Sequence, residues 1–206
     1  MIDRGADWLR LPRWLVPDAI VLTHAHDDHA GGLAHGAACP VHAAAETLAL
    51  LARFPIADRR VIAARKPLII GDLRFEAFAV EHSIRAPAVG YRVSAGSANI
   101  FYAPDLAAIP SRHAALGGVT LYVGDGATML RAMVRRRGPH LIGHTSIRTQ
   151  LDWCREEDVE RTIFTHCGTG IVGSDGRSVN AVMRRLGEER GVDARLAHDG
   201  LTLTLG

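Results

Sequence analysis

Cysteine is scarce in this chain: Cys39, Cys154 and Cys167 are the only three among 206 residues, and no two form a CxxC pair. That excludes a disulfide framework and a cysteine-rich zinc knuckle, and makes a reducing interior the default. Lysine is scarcer still, with Lys66 alone among 24 basic residues. Net charge is only +2, so the composition builds no broad field for polyanions. No apolar run approaches the length that crosses a bilayer, and the start, "MIDRGADWLRLP", lacks the basic, apolar and small-residue regions of a signal peptide. The expectation is a cytoplasmic protein with no membrane partner. No Pro/Gly/Ser-rich linker, low-complexity tract or fixed-period repeat divides the chain, so one domain is expected over residues 1–206.

Histidine is the residue in excess, with eleven copies. Their placement follows the expected secondary structure. Apolar, β-branched or alternating runs predict strands at 19–23, 74–82, 88–94, 98–104, 119–124, 161–166, 194–197 and 201–205. Good helix formers predict helices at Ala43–Arg53, Ala127–Arg137, Ile147–Glu157 and Ser178–Arg190. Thr145 or Ser146 would cap the third of these, with Ile147, Leu151 and Cys154 on one face. Strands alternating with helices predict an α/β fold of sheets covered by helices. His24, His82, Asp105 and His166 each follow a strand-like run, where loops on a rigid scaffold present chemistry.

The densest polar stretch is "LTHAHDDHAGGL", which follows the apolar run "AIVL". Three imidazoles and carboxylates in one tight loop would repel when protonated and cost free energy to desolvate unpartnered. A divalent cation removes both problems, since neutral imidazole and carboxylate are ligands that zinc accepts. The two-residue step from His24 to His26 lets an extended segment aim both rings to one side. Asp28 and His29 follow the turn and can face a second point. Two metal positions result: His24, His26 and His82 at one, Asp28, His29 and His166 at the other, with Asp105 bridging. Asp27 is not expected to be a ligand.

"THAHDDH" resembles the HxHxDH signature of the metallo-β-lactamase-fold superfamily, whose further ligands are a His, an Asp and a His in that order. Here they fall as His82, Asp105 and His166. The resemblance implies an αββα four-layer sandwich, with a shortened N-terminal part that lacks the usual first strands. "GHTSIRTQLDWC" is similar to the GH[ST] element of phosphodiesterase-type members related to tRNA 3′-processing endonucleases and to cyclic phosphodiesterases of phosphonate metabolism. A related element occurs in proteins of pyrroloquinoline quinone biosynthesis. By that resemblance His144 contacts the scissile phosphate and donates a proton. The long tRNA-binding arm of the processing endonucleases has no counterpart in the chain.

The implied activity is binuclear metal-dependent hydrolysis of a small-molecule or nucleotide-type phosphodiester. A metal-bridging hydroxide would attack, Asp28 would orient it, and His144 would be the general acid. Zinc leads as the metal, with manganese and iron open. Hydrolysis of a lactone, thioester or other acyl compound on the same ligands stays open, as do iron-dependent redox chemistry and a non-catalytic metal-bound accessory role. A homo-oligomer is also open. Asp125 in "YVGDGAT" reads either as an acceptor that orients a ligand histidine or as part of a turn. The run Arg135–Arg137 reads either as an attractor of substrate phosphate or as a solvated helix face. Cys167 reads as a site-lining residue or a buried thiol, and His35, His42, His113, His140 and His198 as surface or turn residues.

Overall fold

The computed structural model describes residues 1–10 and 16–205, excluding the side chain of Arg10. Residues 11–15, which belong to the segment expected to stand in for the usual first strands, lie outside them, as does residue 206. The first sheet is built from short parallel strands in the order β1 (Ile20–Val21), β2 (Val41–Ala43) and β3 (Arg59–Val61). Ile2 bridges to Val21 in parallel. The second sheet has seven strands. β4 (Leu68–Ile70), β5 (Leu73–Val80), β6 (Ala88–Ala95) and β7 (Ala98–Tyr102) run as an antiparallel meander. β7 then pairs in parallel with β8 (Leu121–Asp125), β8 with β11 (Arg161–Thr165) and β11 with β12 (Asp193–Leu196).

Alternation along the strands sorts side chains into layers. In β1, Ile20 and the following Leu22 point to one core with Leu48 and Leu51 of the helical segment, while Val21 points to another. That second core lies between the sheets, where Val21 and Ile62 meet Phe75, Ala77, Val89, Tyr91 and Val93. The opposite face of the large sheet offers Phe78, Phe101 and Tyr122 to Ile147, Leu151 and Cys154 of α4 (Ile147–Glu156) and to Met183 and Leu186 of α6 (Gly176–Glu188). Helix, sheet, sheet and helix stack in that order. This is the four-layer α/β arrangement that the resemblance implies, with the helix-covered sheets that the residue patterns predict.

Parallel strands need crossovers, and in the large sheet these are helical. α3 (Arg112–Leu116) joins β7 to β8, and α5 (Thr169–Val172) with α6 joins β11 to β12. Ser146 caps α4, its hydroxyl accepting the Thr149 N–H at 3.2 Å. Asp175 caps α6 by accepting the Ser178 N–H at 2.9 Å. The crossovers leave the ends of β7, β8 and β11 free to carry polar loops, beside the ends of β1 and β5.

Two expected elements differ. Ala127–Arg137 is not a helix: its second half is β9 (Met133–Arg137), paired antiparallel with β10 (His140–His144). Gly138 supplies the positive φ of +59° that the two-residue turn needs. The first half is engaged elsewhere, since the Thr128 and Met129 carbonyls accept the Ile147 and Arg148 N–H groups at the open end of α4. Those tertiary bonds outweigh helix propensity, which is a weak preference. Residues 201–205 alternate as a strand would but form none. Their side chains are largely exposed, so no buried face fixes a register.

The sheets are joined close to the histidine-rich loop 24–29 by Tyr91, whose buried hydroxyl donates to the Leu22 carbonyl at 2.7 Å. Tyr91→Phe should cost about 1–3 kcal/mol, because it leaves a buried carbonyl without a partner. The checking measurement is the urea midpoint at unchanged m-value.

Candidate metal centre

Four strand ends converge. The chain leaves β1 into His24 and His26, then turns through the short helix α1 (Asp27–Ala30), which carries Asp28 and His29. His82 follows β5, Asp105 follows β7, and His166 follows β11. One potential ligand atom from each of His24, His26, His82 and Asp105 lies within 4.8 Å of the others. The same holds for Asp28, His29, Asp105 and His166. All seven residues expected to bind metal are thus brought together in the expected two groups, with Asp105 in both. Asp27 belongs to neither group.

The contacts within the groups set ligand atoms face to face and leave the hydrogen-bond network unfinished. His26 Nδ1 lies 2.9 Å from His24 Nε2 and 3.3 Å from His82 Nε2, so ring nitrogens face each other. Asp105 is 3% exposed, and its Oδ2 lies 3.4 Å from His24, 3.1 Å from His29 and 3.6 Å from His82. Its Oδ1 lies 2.8 Å from His166 Nδ1. Yet His29 Nε2, Asp105 Oδ1 and His166 Nδ1 are buried with no properly directed hydrogen bond. Buried polar atoms are nearly always satisfied, so close but misdirected donors call for a shared partner. Nitrogen and carboxylate oxygen in this mixture suit a divalent cation.

Electrostatics sort the imidazoles. Burial, together with the neighbouring His29, pushes the pKa of His24 down to about 2. Burial also lowers that of His82. For His29 burial works against the charge, but the Asp105 and Asp3 carboxylates outweigh it and hold the pKa up at about 10. His166 is raised to about 9, chiefly by its contact with Asp105. Asp105 itself is costly to bury, but His166 and His29 hold its carboxyl far below the usual range. The buried Asp105 carboxylate thus draws protons towards the two imidazoles beside it, His29 and His166.

Asp3 is a participant that sequence reasoning passed over. Its Oδ2 pairs with His29 Nδ1 at 2.8 Å and accepts the Thr23 hydroxyl at 2.8 Å, while Oδ1 accepts the Thr23 N–H at 2.7 Å. Thr23 Oγ1 in turn lies 3.0 Å from His24 Nδ1. One carboxylate therefore orients a histidine of each group, directly or through Thr23. Gly5 lets this segment lie against the metal loop: a Cβ there would sit 2.1 Å from the Asp28 carbonyl oxygen. The available signal was "IDRG", an apolar residue followed by Asp and a Gly-containing turn. Asp3 and His166 both hold a positive φ, +57° and +52°, a strained conformation for residues other than glycine that is concentrated at functional sites.

His144 stands at the end of β10, beside the ligand groups. Its Nδ1 lies 2.8 Å from Asp125 Oδ2 and 3.7 Å from Asp105 Oδ1. Asp125 is fully buried and also accepts the Leu106 and Ala127 N–H groups. Its backbone is gripped on both sides by Gln150, which accepts from Asp125 N at 2.9 Å and donates to Asp125 O at 2.7 Å. Of the two readings of Asp125, the orienting one describes the geometry, although the histidine it orients is His144 and not one of the seven. Gly143, with φ +108°, brings its carbonyl 3.2 Å from His82 Nδ1. Beside His166 opens a groove of about 690 Å³, lined by Cys167, Ile171, Val179, Asn180, Leu196 and His198.

The family described as "Beta-lactamase superfamily domain" matches residues 5–167. No curated protein matches the chain in sequence. Among solved structures, the metallo-beta-lactamase fold protein YhfI from Bacillus subtilis is similar at 16% identity and a TM-score of 0.72, over 97% of this chain and 84% of that one. A diphosphatase from the PhnP family is similar at 22% identity and 0.65, over 100% and 79%. Human tRNase Z, short form (ELAC1), is similar at 15% identity and 0.64, over 100% and 87%. These likenesses establish the fold. Among the described residues no helix is long and apolar enough to cross a membrane.

Asp3→Asn should weaken metal binding about 10–100-fold while leaving the circular dichroism unchanged, as read by competition with a chelator. Loading should also depend on pH. His29 and His166, with raised pKa values of about 10 and 9, carry protons at pH 7 that a metal must displace. Affinity should therefore rise from pH 6 towards pH 9, with about two protons released per chain at pH 7. Calorimetry in buffers of different ionisation enthalpy reads that number. In the metal-free protein the same two groups contribute stability that is fully present below the ordinary histidine pKa and lost as pH rises through 9 to 10.

Proposed function

The chain belongs to the beta-lactamase superfamily, and we propose that it is a metal-dependent hydrolase of phosphodiesters. His24, His26 and His82 would hold one ion, Asp28, His29 and His166 a second, and Asp105 would serve both. Zinc suits this donor set, which manganese and iron also accept. Bound there, divalent ions would lower the pKa of water and neutralise charge that develops on the phosphoryl oxygens.

The observation that carries the reading is the state of His144. One ring nitrogen is held by a buried carboxylate, while Nε2 makes no hydrogen bond among the described residues and the side chain is 23% exposed. The bond to Asp125 outweighs burial and raises the pKa of His144 above the ordinary histidine value. A protonated imidazole, fixed in orientation and open on its other nitrogen, is suited to donate a proton. The proposed reaction is attack of a water oxygen on phosphorus as the bond from phosphorus to the leaving oxygen breaks. Asp28, held 3.0 Å from His166 Nε2 but 57% exposed, would orient that water and accept its proton. His144 would supply the proton to the departing oxygen. Asp125 would keep the ring aimed without touching substrate. A diphosphatase and tRNase Z share this fold, so it accommodates phosphorus as the electrophile.

His144→Ala should bind metal as the parent does and lose about 10²–10⁴-fold in kcat on bis-p-nitrophenyl phosphate. A parent protein that hydrolyses lactones but no phosphodiester would overturn the reading. So would a His144→Ala variant with full turnover.

A further inference from the structure

The hairpin that replaces the expected helix changes which arginines act together. In a strand, alternate side chains share a face, so Arg135 and Arg137 lie on one side of β9 and Arg136 on the other. The register sets Ile142 opposite Arg135 and His140 opposite Arg137. Across from that face runs the loop that follows His82. Between them is a cleft of about 280 Å³ lined by Ser83, Ile84, Arg85, Arg135, Arg137 and Ile142. Among the described residues seven arginines pair with carboxylates, including Arg65 with Glu76, Arg112 with Glu157 and Arg190 with Asp152, and others such as Arg136 do not. Among the described residues no carboxylate lies within 4.0 Å of the guanidinium groups of Arg85, Arg135 or Arg137. The nearby Glu81 accepts the Leu141 N–H at 3.3 Å.

We propose that Arg85, Arg135 and Arg137 form a subsite for a second phosphoryl group of the substrate, beyond the scissile diester. Three guanidinium forks around one small cleft suit a multiply charged oxyanion, which can accept paired hydrogen bonds from each. The location fits. Ser83 is next to His82, and Ile142 is two residues from His144 along β10, a distance of about 7 Å in an extended strand. A ligand whose scissile group sits between His144 and Asp105 therefore reaches the cleft with its next anionic group. This placement rests on the phosphodiesterase reading, whereas the affinity of the cleft for an anion does not.

The test compares thymidine 5′-(p-nitrophenyl phosphate) with its 3′-phosphorylated analogue on the metal-loaded full chain. The analogue should have a KM lower by at least about tenfold, the scale of one charge-assisted hydrogen bond. Arg135→Ala/Arg137→Ala should remove that advantage and leave the unphosphorylated ester unchanged. Arg136→Ala, which removes the same charge from the opposite face, should change neither. Equal KM values in the parent, or the same loss in Arg136→Ala, would overturn the subsite. An analogue with a 3′-linked nucleoside reports whether the second group is a terminal phosphate or part of a continuing strand. If neither ester is hydrolysed, the phosphodiesterase reading fails, and calorimetry with adenosine 3′,5′-bisphosphate against adenosine 5′-monophosphate decides the subsite alone. A preference of about tenfold that disappears in the double variant supports it. Equal affinities sink it.

Discussion

The carboxylate of Asp105 is the constraint on which the rest of the site depends. It is 3% exposed and has five imidazoles within 3.7 Å, from His24, His29, His82, His144 and His166. A buried anion is tolerated only when positive charge and hydrogen bonds replace the water it has lost. Here the compensation comes from residues at the ends of four other strands, so the sheets must bring those ends to one place. His29 and His166 supply part of that charge, since Asp105 raises the pKa of both rings. A divalent ion would supply it more compactly. Metal binding and fold stability are therefore linked through one side chain.

Most of this was legible in the sequence because it was written as order along the chain. The spacing of His24, His26, Asp28 and His29, and the fall of His82, Asp105 and His166 after apolar runs, carried both groups before any geometry was known. Sheets covered by helices were legible because strands buried on both faces read as continuous apolar runs, as around β1. Asp3 offered only the short signal "IDRG", which does not assign it a partner. Its role comes from an isolated bridge between Ile2 and Val21, which no local pattern announces. The hairpin at 133–144 was misread for a related reason. Local propensity favours a helix there, and the competing bonds from Thr128 and Met129 to α4 are made in the tertiary structure alone.

That misreading had a chemical consequence. On a helix, Arg135, Arg136 and Arg137 fan around the axis and read as a solvated face. On a strand they divide two to one, and the pair faces the loop that leaves His82. The secondary structure therefore determines whether the run is a diffuse charge or a local anion site. His144 depends on the same change. As the last residue of β10, and following a glycine with positive φ, it is held by the Thr145 N–H bond to Leu106 O and by the Gly143 contacts with His82.

Two carboxylate–histidine pairs show how one interaction can serve opposite ends. Asp3 holds His29 and Asp125 holds His144, each through Nδ1 at 2.8 Å, and each carboxylate raises the pKa of its ring. The first-order chemistry is identical. What differs is the surroundings of the remaining nitrogen. His29 Nε2 is buried beside Asp105 without a hydrogen bond, so its lone pair has a use only if the proton is displaced by a cation. The His144 ring is partly open, so its proton can be handed to a ligand and replaced from water. The proposed ligand and the proposed acid are thus separated by burial and not by partner, which is why a sequence that places both histidines near aspartates does not by itself assign their roles.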